Sequence, residues 1–551
     1  MTDRPDAGQL RLRPGVAVTP LREGLHLRGR TGSLTLEGNR SLPALWQALS
    51  ARLGSDPGTT AVVPPKVAAA LTALTDHLRA HDLVVDPLGD AELPPWPGAV
   101  AARPQEAVAA LAAAHPTVAS ADPGGPVARA VARALTRGGG VPTLVTDPAL
   151  ATGQVLVVAG EPPVAVGLQC DPDGGFVTEP AAPERARADL AALAERLRED
   201  TGAAPAGTGT VPRALPLLLA GATAQRLLCA VAGLPDPARA ADPRLLPGRP
   251  AVLVTEARPL RAEHRPWAAG PGTTAAPPAN LETALRRIAA LGDRRLGVFD
   301  APAPGALPQL PAALVSCRTP DGTLVAGAPR TDLARLAGAV RAAELRWPAA
   351  HSGGAVAVVV GADPRHAEGR ALRRAALSMP GVGDAGTAPA DALLEHPQTR
   401  HWTTTLNRQL RREVELTVRQ ITDGAFLATV EGSRAVEATA ADAVTVAAIG
   451  ALTRLTARTL DLAAVHHSAF SGAAAPLAAA GQQLADWTDE GWTSRWISQL
   501  ADNETDLQIA LSELTGLRTT PWQPGTGAAH PLGDALAGCG FTVLIPTGGR
   551  R

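Results

Sequence analysis

Short runs of alternating apolar and polar residues open the chain. They fall at residues 16–18, 25–27 and 34–36, and turns at Glu23-Gly24 and Thr31-Gly32 separate them. Alternation at a period of two residues, interrupted by glycine, is typical of strands joined in hairpins. The pattern predicts a small sheet of three strands at the start of the chain.

The apolar spacing then changes to three and four residues, which predicts helices. The first helix begins at Ser41 and ends before Gly54, and the second covers about residues 65–81. Their apolar stripes are Leu42, Leu45, Leu49 and Leu53 in the first, and Val67, Leu71, Leu74 and Leu78 in the second. Three strands with two or three helices predict a winged-helix module over residues 1–90.

The remaining chain mixes both patterns, and stretches rich in proline or glycine predict linkers at residues 87–97 and 268–280. In the block 98–267 we predict strands at 118–119, 143–145, 155–159 and 251–254, and helices at 127–136 and 215–232. In the block 281–551 we predict helices at 282–291, 332–346, 439–460 and 504–515, and strands at 312–316, 355–360, 424–430 and 541–545. The predicted fold class is therefore α/β, multidomain. The helices after Arg330 and Glu437 share a composition rich in Ala, Leu and Arg, which hints at an internal duplication.

Composition narrows the functional classes. The formal net charge of the 551 residues is -1, so no global field attracts nucleic acid or an anionic membrane. No uninterrupted apolar stretch reaches the roughly 18 residues of a membrane span, and no apolar run near residue 1 predicts a secretory signal. The four cysteines stand singly, at positions 170, 229, 317 and 539. We expect a cytoplasmic protein with reduced thiols, no structural metal and no membrane segment.

Three stretches resemble known families. GVAVTPLREGLHLRGRTGSLTLEGNRSLPALWQALSARL and VAAALTALTDHLRAHDLVVD resemble the leader-peptide recognition element of pathways that modify ribosomally made peptides. The block 98–267 resembles a degenerate ThiF-like adenylating domain through ASADPGGPVARAVARALTRGGGVPTLVTD, LLLAGATAQRLLCAVAGLPDPA and LPGRPAVLVTEARPLRAEHRPW. ARLAGAVRAAELRW and GFTVLIPTGG give the block 281–551 a resemblance to a YcaO-type domain. The first two together resemble the ThiF-like partner proteins of azole-forming YcaO-type cyclodehydratases in thiopeptide clusters.

The resemblance implies a peptide-binding site. A leader peptide would add a strand to the edge of the third strand and lie against the last helix of the module. The residues carried over are Ser33, Leu34, Thr35 and Leu36 on the edge, and Leu74, Leu78 and Arg79 on the helix. Leucines at helical spacing also fit a simple core role. Between Arg11 and Arg40 six arginines face two glutamates, a balance that suits an acidic peptide.

The nucleotide positions of an adenylating domain are altered here. Such a domain holds phosphates on a glycine turn at a helix N-terminus, and the ribose on an acidic residue after the next strand. Gly124, Gly125 and Asp147 match these positions, whereas Asp122 and Val127 replace the outer glycines. Because a carboxylate repels phosphate, we interpret the matching residues as vestigial and expect no cofactor. Asp147 also fits a turn residue before Pro148.

The YcaO resemblance implies ATP and magnesium held by acidic side chains of two helices. The first helix keeps Glu344 and Arg346, while the second, residues 439–460, contains no glutamate. One carboxylate does not make a magnesium triphosphate site, so we predict a degenerate domain that docks another enzyme. We predict no catalytic residue and no metal site, since the His466-His467 side chains diverge on any regular element.

These observations favour a non-catalytic scaffold. It would bind the leader of a precursor peptide and present the core to a separate ATP-dependent YcaO-type cyclodehydratase that forms thiazolines and oxazolines. One alternative is an enzyme, either an active adenylating domain or a fused cyclodehydratase. Another is a winged-helix DNA-binding regulator, although the helix from Pro65 offers only Lys66 and Arg79 for base contacts. The sequence is also compatible with a homodimer, and we expect no nucleic-acid partner.

Overall fold

The structure is a computed structural model of the chain. It describes residues 10–30, 32–37, 40–53, 64–86, 96–200, 211–239, 242, 244–347, 358–379, 393–459, 464–480, 492–524 and 530–548. The chain forms two compact units. The first comprises Met1–Glu195, Ala203–Asp242 and Val252–His264, and the second comprises Arg196–Gly202, Pro243–Ala251 and Arg265–Arg551.

The N-terminal part of the first unit contains the predicted sheet and helices. Its elements are β1 (Arg11–Leu12), β2 (Ala17–Leu21), β3 (Gly24–Arg28), β4 (Ser33–Glu37), α1 (Leu42–Arg52), α2 (Pro65–Ala80) and β5 (Val84–Val85). Strands β2, β3 and β4 form an antiparallel sheet in that order, and β1 pairs with β5. Leucines from β3 and both helices meet in one core, as the alternating and helical patterns predict.

A seven-stranded sheet occupies the rest of the first unit, in the order β12-β11-β10-β9-β8-β6-β7. The elements are α3 (Trp96–Val100), α4 (Pro104–Ala113), β6 (Thr117–Ser120), α5 (Pro126–Arg137), β7 (Thr143–Thr146), β8 (Gln154–Ala159), β9 (Val164–Asp171), β10 (Gly174–Val177), α6 (Pro183–Asp200), α7 (Ala214–Val231), β11 (Ala251–Ala257) and β12 (Leu260–Pro266). Strands β6 and β7 run parallel with α5 between them, and the other strand pairs described by their registers are antiparallel.

The second unit contains three sheets of three strands. Its elements are α8 (Leu281–Leu291), β13 (Ala313–Thr319), β14 (Gly322–Ala328), α9 (Thr331–Arg346), β15 (Val359–Gly361), α10 (Pro364–Ser378), α11 (Pro397–Leu410), β16 (Leu416–Thr422), β17 (Ala425–Val430), β18 (Ser433–Glu437), α12 (Ala440–Thr459), β19 (Ala464–Ala469), α13 (Ala475–Ala479), α14 (Trp492–Thr515), β20 (Arg518–Pro521), α15 (Pro531–Gly538) and β21 (Thr542–Gly548). The sheet orders are β13-β14-β19, β15-β21-β20 and β16-β17-β18.

One motif occurs twice in this unit. Strands β13 and β14 form a hairpin, and α9 begins three residues after β14 ends. Strands β17 and β18 form a second hairpin, and α12 begins three residues after β18 ends. The repeat supports the internal duplication suggested by the composition of the two helices.

Several predictions about element boundaries were wrong. The prediction missed β9, β10, β12 and α6, and it began the helix of residues 504–515 too late, since α14 starts at Trp492. Residues 268–280 are not a free linker, because Ala268 is fully buried and Arg249 bonds the carbonyls of Ala268, Gly270 and Thr273. Residues 87–95 of the predicted linker 87–97 lie outside the described residues, whereas Pro97 belongs to α3.

Two helices in the described part of the chain, α7 and α12, have the length and apolar composition of a membrane span. Their most apolar windows are 50% and 67% buried inside the protein. Core helices of this kind pass the same length and composition test, so the finding is weak evidence for a span.

Candidate functional site

The outer edge of β4 is the candidate peptide-binding position. Strand β4 pairs with β3 along its whole length, from Arg28 opposite Ser33 to Gly24 opposite Glu37. On its other side no strand of the described chain pairs with it. A strand edge of this kind presents backbone donors and acceptors to an added strand.

The phase of the β3–β4 ladder decides which backbone groups face outward. The amide of Gly29 donates to the carbonyl of Gly32 at 2.8 Å, so these two residues are a hydrogen-bonded pair of the hairpin. Bonded and non-bonded pairs alternate along antiparallel strands. Leu34 and Leu36 therefore direct their backbone groups to β3, whereas Ser33, Thr35 and Glu37 direct theirs to the open edge.

The side chains of β4 divide in the same way. Leu34 and Leu36 are half-buried and pack against the core of the module, while Ser33 and Thr35 are exposed. The hydroxyl of Thr35 lies 2.8 Å from Nδ1 of His26 on the solvent face of the sheet. Two apolar side chains thus attach β4 to the core, and its outward backbone groups belong to polar residues.

Of the three helix residues predicted to face the peptide, two are buried and one is partly exposed. Leu74 is 5% exposed and Leu78 is 0% exposed, so both are core residues, in line with the alternative interpretation. Arg79 is half-buried and lies 3.3 Å from a carboxylate oxygen of Asp76. As the module stands, these leucines support the sheet from beneath, and Arg79 is the residue of the three with access to solvent.

Part of the predicted positive charge is neutralised within the module. Asp82 pairs with both Arg13 and Arg30, and Glu23 pairs with Arg40. Arg28, on the strand next to β4, is exposed. Arg11 and Arg22 are also exposed. These three exposed arginines keep positive charge on the module, which favours an acidic peptide.

A carboxylate already faces the glycine turn before α5. Gly125 is the N-cap of α5, and a Cβ atom there would lie 2.8 Å from Oδ2 of Asp122. At Gly124 the corresponding distance to Oδ1 is 3.4 Å. A helix N-terminus attracts anions, and here the chain's own carboxylate lies beside it. This arrangement disfavours a bound phosphate.

Asp147 has the turn role that the sequence offered as its second interpretation. It follows β7, accepts a hydrogen bond from the amide of Ala149 at 3.0 Å, and pairs with Arg187 at 2.6 Å. The hydrogen bond from Arg187, followed by that from Ala149, lowers the pKa of this carboxyl below its usual range. Both carboxylate oxygens thus already accept hydrogen bonds from the protein, so a ribose hydroxyl would have to compete with these partners.

Glu344 of α9 is surrounded by arginines. Its carboxylate lies 2.6 Å from both Arg370 and Arg374 and 3.1 Å from Arg341, and it accepts the amide of Val360 at 3.1 Å. Burial alone would raise the pKa of Glu344, but the three arginines outweigh it and hold the pKa below its ordinary value. Arg346 donates instead to the carbonyl of Val298.

A second network, which is buried, includes Arg373 of α10, the helix that also carries Arg370 and Arg374. Arg373 bridges Glu437 and Glu504 at 2.6 Å each, and all three side chains are at most 7% exposed. Asp442 of α12 accepts the indole N–H of Trp496 at 2.7 Å. Sequence reasoning missed these partners, because they lie on separate elements with no fixed spacing. The acidic side chains in this region bind the protein itself.

The residues present do not fit a magnesium nucleotide. Within the described ranges no three His, Cys, Asp or Glu side chains form a group able to hold a metal ion. The cysteines are free, and burial raises the pKa of Cys170 and Cys317 to about 12 and that of Cys229 and Cys539 to about 11. Thiols with such pKa values are poor nucleophiles near neutral pH.

The fold is similar to that of a solved heterocyclase structure. One, described as a heterocyclase in complex with substrate and cofactor, has a TM-score of 0.51 and 12% sequence identity, over 98% of this chain and 94% of that chain. The structure of the heterocyclase TruD has a TM-score of 0.46 and 13% identity, over the same shares of the two chains. No protein-family model and no curated protein matches the sequence. The first likeness shows a mixed α/β multidomain fold of the heterocyclase type.

Proposed function

We propose that this protein binds the leader of a ribosomally made precursor peptide and presents its core to a separate ATP-dependent cyclodehydratase that forms thiazolines and oxazolines. The open edge of β4 carries the proposal, since its outward groups at Ser33, Thr35 and Glu37 can accept a peptide strand. The heterocyclase-like fold supports a role with the same class of substrate.

In this proposal the protein contributes proximity and no chemistry. Holding the leader on one surface raises the effective concentration of the core peptide at a docked enzyme. The arginine partners of Glu344 support a non-catalytic role, because a carboxylate held by three guanidinium groups has little capacity left for a metal. The domains proposed for these tasks are 1–90 for capture, with 98–267 and 281–551 for support and docking, in the cytoplasm.

A fused cyclodehydratase is the second candidate. The heterocyclase likeness spans 98% of this chain, so the fold has a counterpart for nearly every part of that structure. On this view the chain would itself cyclise the peptide. The carboxylate pairing described above argues against it.

Reconstitution separates the two candidates. The full chain, the precursor peptide encoded nearest to its gene and magnesium ATP would be combined with and without a YcaO-type cyclodehydratase from the same gene neighbourhood. Mass spectrometry would count the waters lost from the peptide. We expect loss only when both proteins are present. Water loss with this chain alone would identify a fused enzyme, and equal loss by the partner alone would refute the scaffold.

A further inference from the structure

A half-open cavity of about 270 Å³ lies in the second unit beside two outer strands. Its walls come from β18, α12, β19 and the two residues after β19, with Arg373 and Leu377 of α10. Strand β18 is an outer strand of one sheet, and β19 is an outer strand of another. Glu344 is not among the lining residues, so the cavity is separate from the carboxylate discussed above.

The lining is cationic. Arg434 and Arg454 join Arg373 there, beside His467, and in the described chain Glu437 is the one carboxylate that lines the cavity. Glu437 is already bound, since it pairs with Arg373 at 2.6 Å and accepts the amide of Gly472 at 3.0 Å. Arg434 and His467 are exposed to solvent. Because Glu437 is paired with Arg373, Arg434 and Arg454 give the described lining an excess of positive charge.

The protein fixes Arg454 in place without neutralising it. Its guanidinium donates to the carbonyls of Glu431 and Gly432 in the two-residue turn between β17 and β18. Both turn residues have positive φ, 47° and 75°, as a type I′ hairpin turn requires. Because carbonyl oxygens satisfy only part of the guanidinium fork, the group keeps donors for a ligand.

Two further features favour an anion. Gly450 lets α12 approach β18 closely, since a Cβ atom there would lie 2.4 Å from Oγ of Ser433, and this brings the Ser433 hydroxyl to the cavity wall. Burial, and then the charges of Arg454, Arg458 and His466, lower the pKa of His467. His467 can therefore offer an oxyanion a ring N–H donor rather than a positive charge.

We propose that this cavity binds a small oxyanion, a carboxylate or phosphate group, between Arg434, Arg454 and His467. Guanidinium groups bind both oxyanions through paired N–H donors, and the hydroxyls of Ser433 and Ser468 supply further donors. The volume is near the lower end of small-molecule sites, about 300 Å³, so the group would arrive on a small molecule or on one side chain. This inference does not rest on the β4 edge, which lies in the other unit.

Calorimetry on the full chain tests the site with three probes: inorganic phosphate, magnesium ATP and the dipeptide acetyl-Gly-Glu. Arg434→Glu reverses an exposed charge at the cavity, and Arg408→Glu makes the same change at an exposed position of α11 that does not line it. We expect at least one probe to bind, about tenfold or more weakly in Arg434→Glu and unchanged in Arg408→Glu.

The pattern of probes identifies the source of the oxyanion. Binding of phosphate or ATP without the dipeptide would assign a phosphate-bearing ligand, and the reverse would assign a carboxylate. Binding of all three would support a general oxyanion site. No binding of any probe at millimolar concentration would overturn the proposal, as would equal effects of the two charge reversals.

Discussion

Buried arginines determine what the acidic residues of the second unit can do. Glu344 was visible in the sequence as a candidate ligand, but its partners Arg370 and Arg374 lie about one helix further along the chain. Nothing in their spacing predicts the contact, because the fold alone brings α9 and α10 together. The sequence could therefore indicate too few carboxylates for magnesium, and the structure adds that the remaining one is already bound.

Replacing Glu344 by Gln should destabilise the protein near neutral pH by about 3 kcal/mol, since it removes the buried carboxylate that three half-buried arginines share. The pKa of Glu344 in the folded protein is held below the ordinary glutamate value of 4.5. The stability it contributes is thus present above pH 4.5 and is lost as the pH falls through the folded pKa. Urea unfolding at several pH values should show the deficit of Glu344→Gln shrinking below about pH 4.5.

The matched control is Glu368→Gln, at an exposed position of α10. Its effect should stay within about 0.5 kcal/mol. A deficit for Glu344→Gln that does not change with pH would contradict the assignment of its charge.

Leu78 tests whether the helix leucines are core residues. It is 0% exposed, so Leu78→Ala should lower the free energy of unfolding by about 2–5 kcal/mol through lost burial and a cavity. Leu217 is 56% exposed, and Leu217→Ala should change it by less than about 0.5 kcal/mol. Urea titration followed by fluorescence compares them. Equal effects of the two variants would show that Leu78 is available at the surface.

Among the secondary-structure elements, those with a clean period were predictable. The three strands and two helices of the N-terminal module follow their apolar patterns closely. The missed strands β9 and β10 have most of their residues buried and therefore show no alternation. Helix α6 was missed because its charged residues, PERARADLAALAERLRED, mask a narrow apolar stripe.

The N-terminal module is bonded to α3, beyond the boundary predicted at residue 90. Arg13 is 2% exposed, donates to the carbonyls of Gly98 and Ala101 at 2.8 and 2.7 Å, and pairs with Asp82. This contact could not be predicted from the sequence, since an arginine in a basic segment usually lies at the surface. The boundary at 90 stays a prediction, and binding experiments are best made with the full chain.

Arg13→Met should destabilise the first unit by about 3 kcal/mol, because it leaves the carbonyl groups of Gly98 and Ala101 without their buried donor and removes one of the two arginine partners of Asp82. Hydrogen exchange should report faster exchange of amides in residues 96–101. Arg28→Met, at an exposed position of β3, serves as the control and should leave exchange there unchanged. Unaltered exchange in Arg13→Met would show that the module does not depend on this contact.

For the whole molecule, a heterocyclase-like fold coexists with acidic and glycine positions that bind other parts of the same chain. Asp122 lies beside the N-terminus of α5, Asp147 pairs with Arg187, and Glu344 with three arginines. The open edge of β4 has no such internal partner in the described chain. The open edge is therefore the feature on which the proposed binding of a peptide strand is based.

The most direct test of peptide binding at the β4 edge is the affinity of Thr35 variants for the leader peptide. Proline at Thr35 removes an amide that faces the open edge and spares the bonds from Leu34 and Leu36 to β3, whereas Thr35→Val keeps the amide. Fluorescence anisotropy would use the labelled leader of the nearest encoded precursor, with a scrambled leader for comparison. We expect Thr35→Pro to weaken binding about tenfold or more and Thr35→Val to bind like the unaltered chain. Equal affinities of the two variants, or of the leader and its scrambled form, would contradict the account.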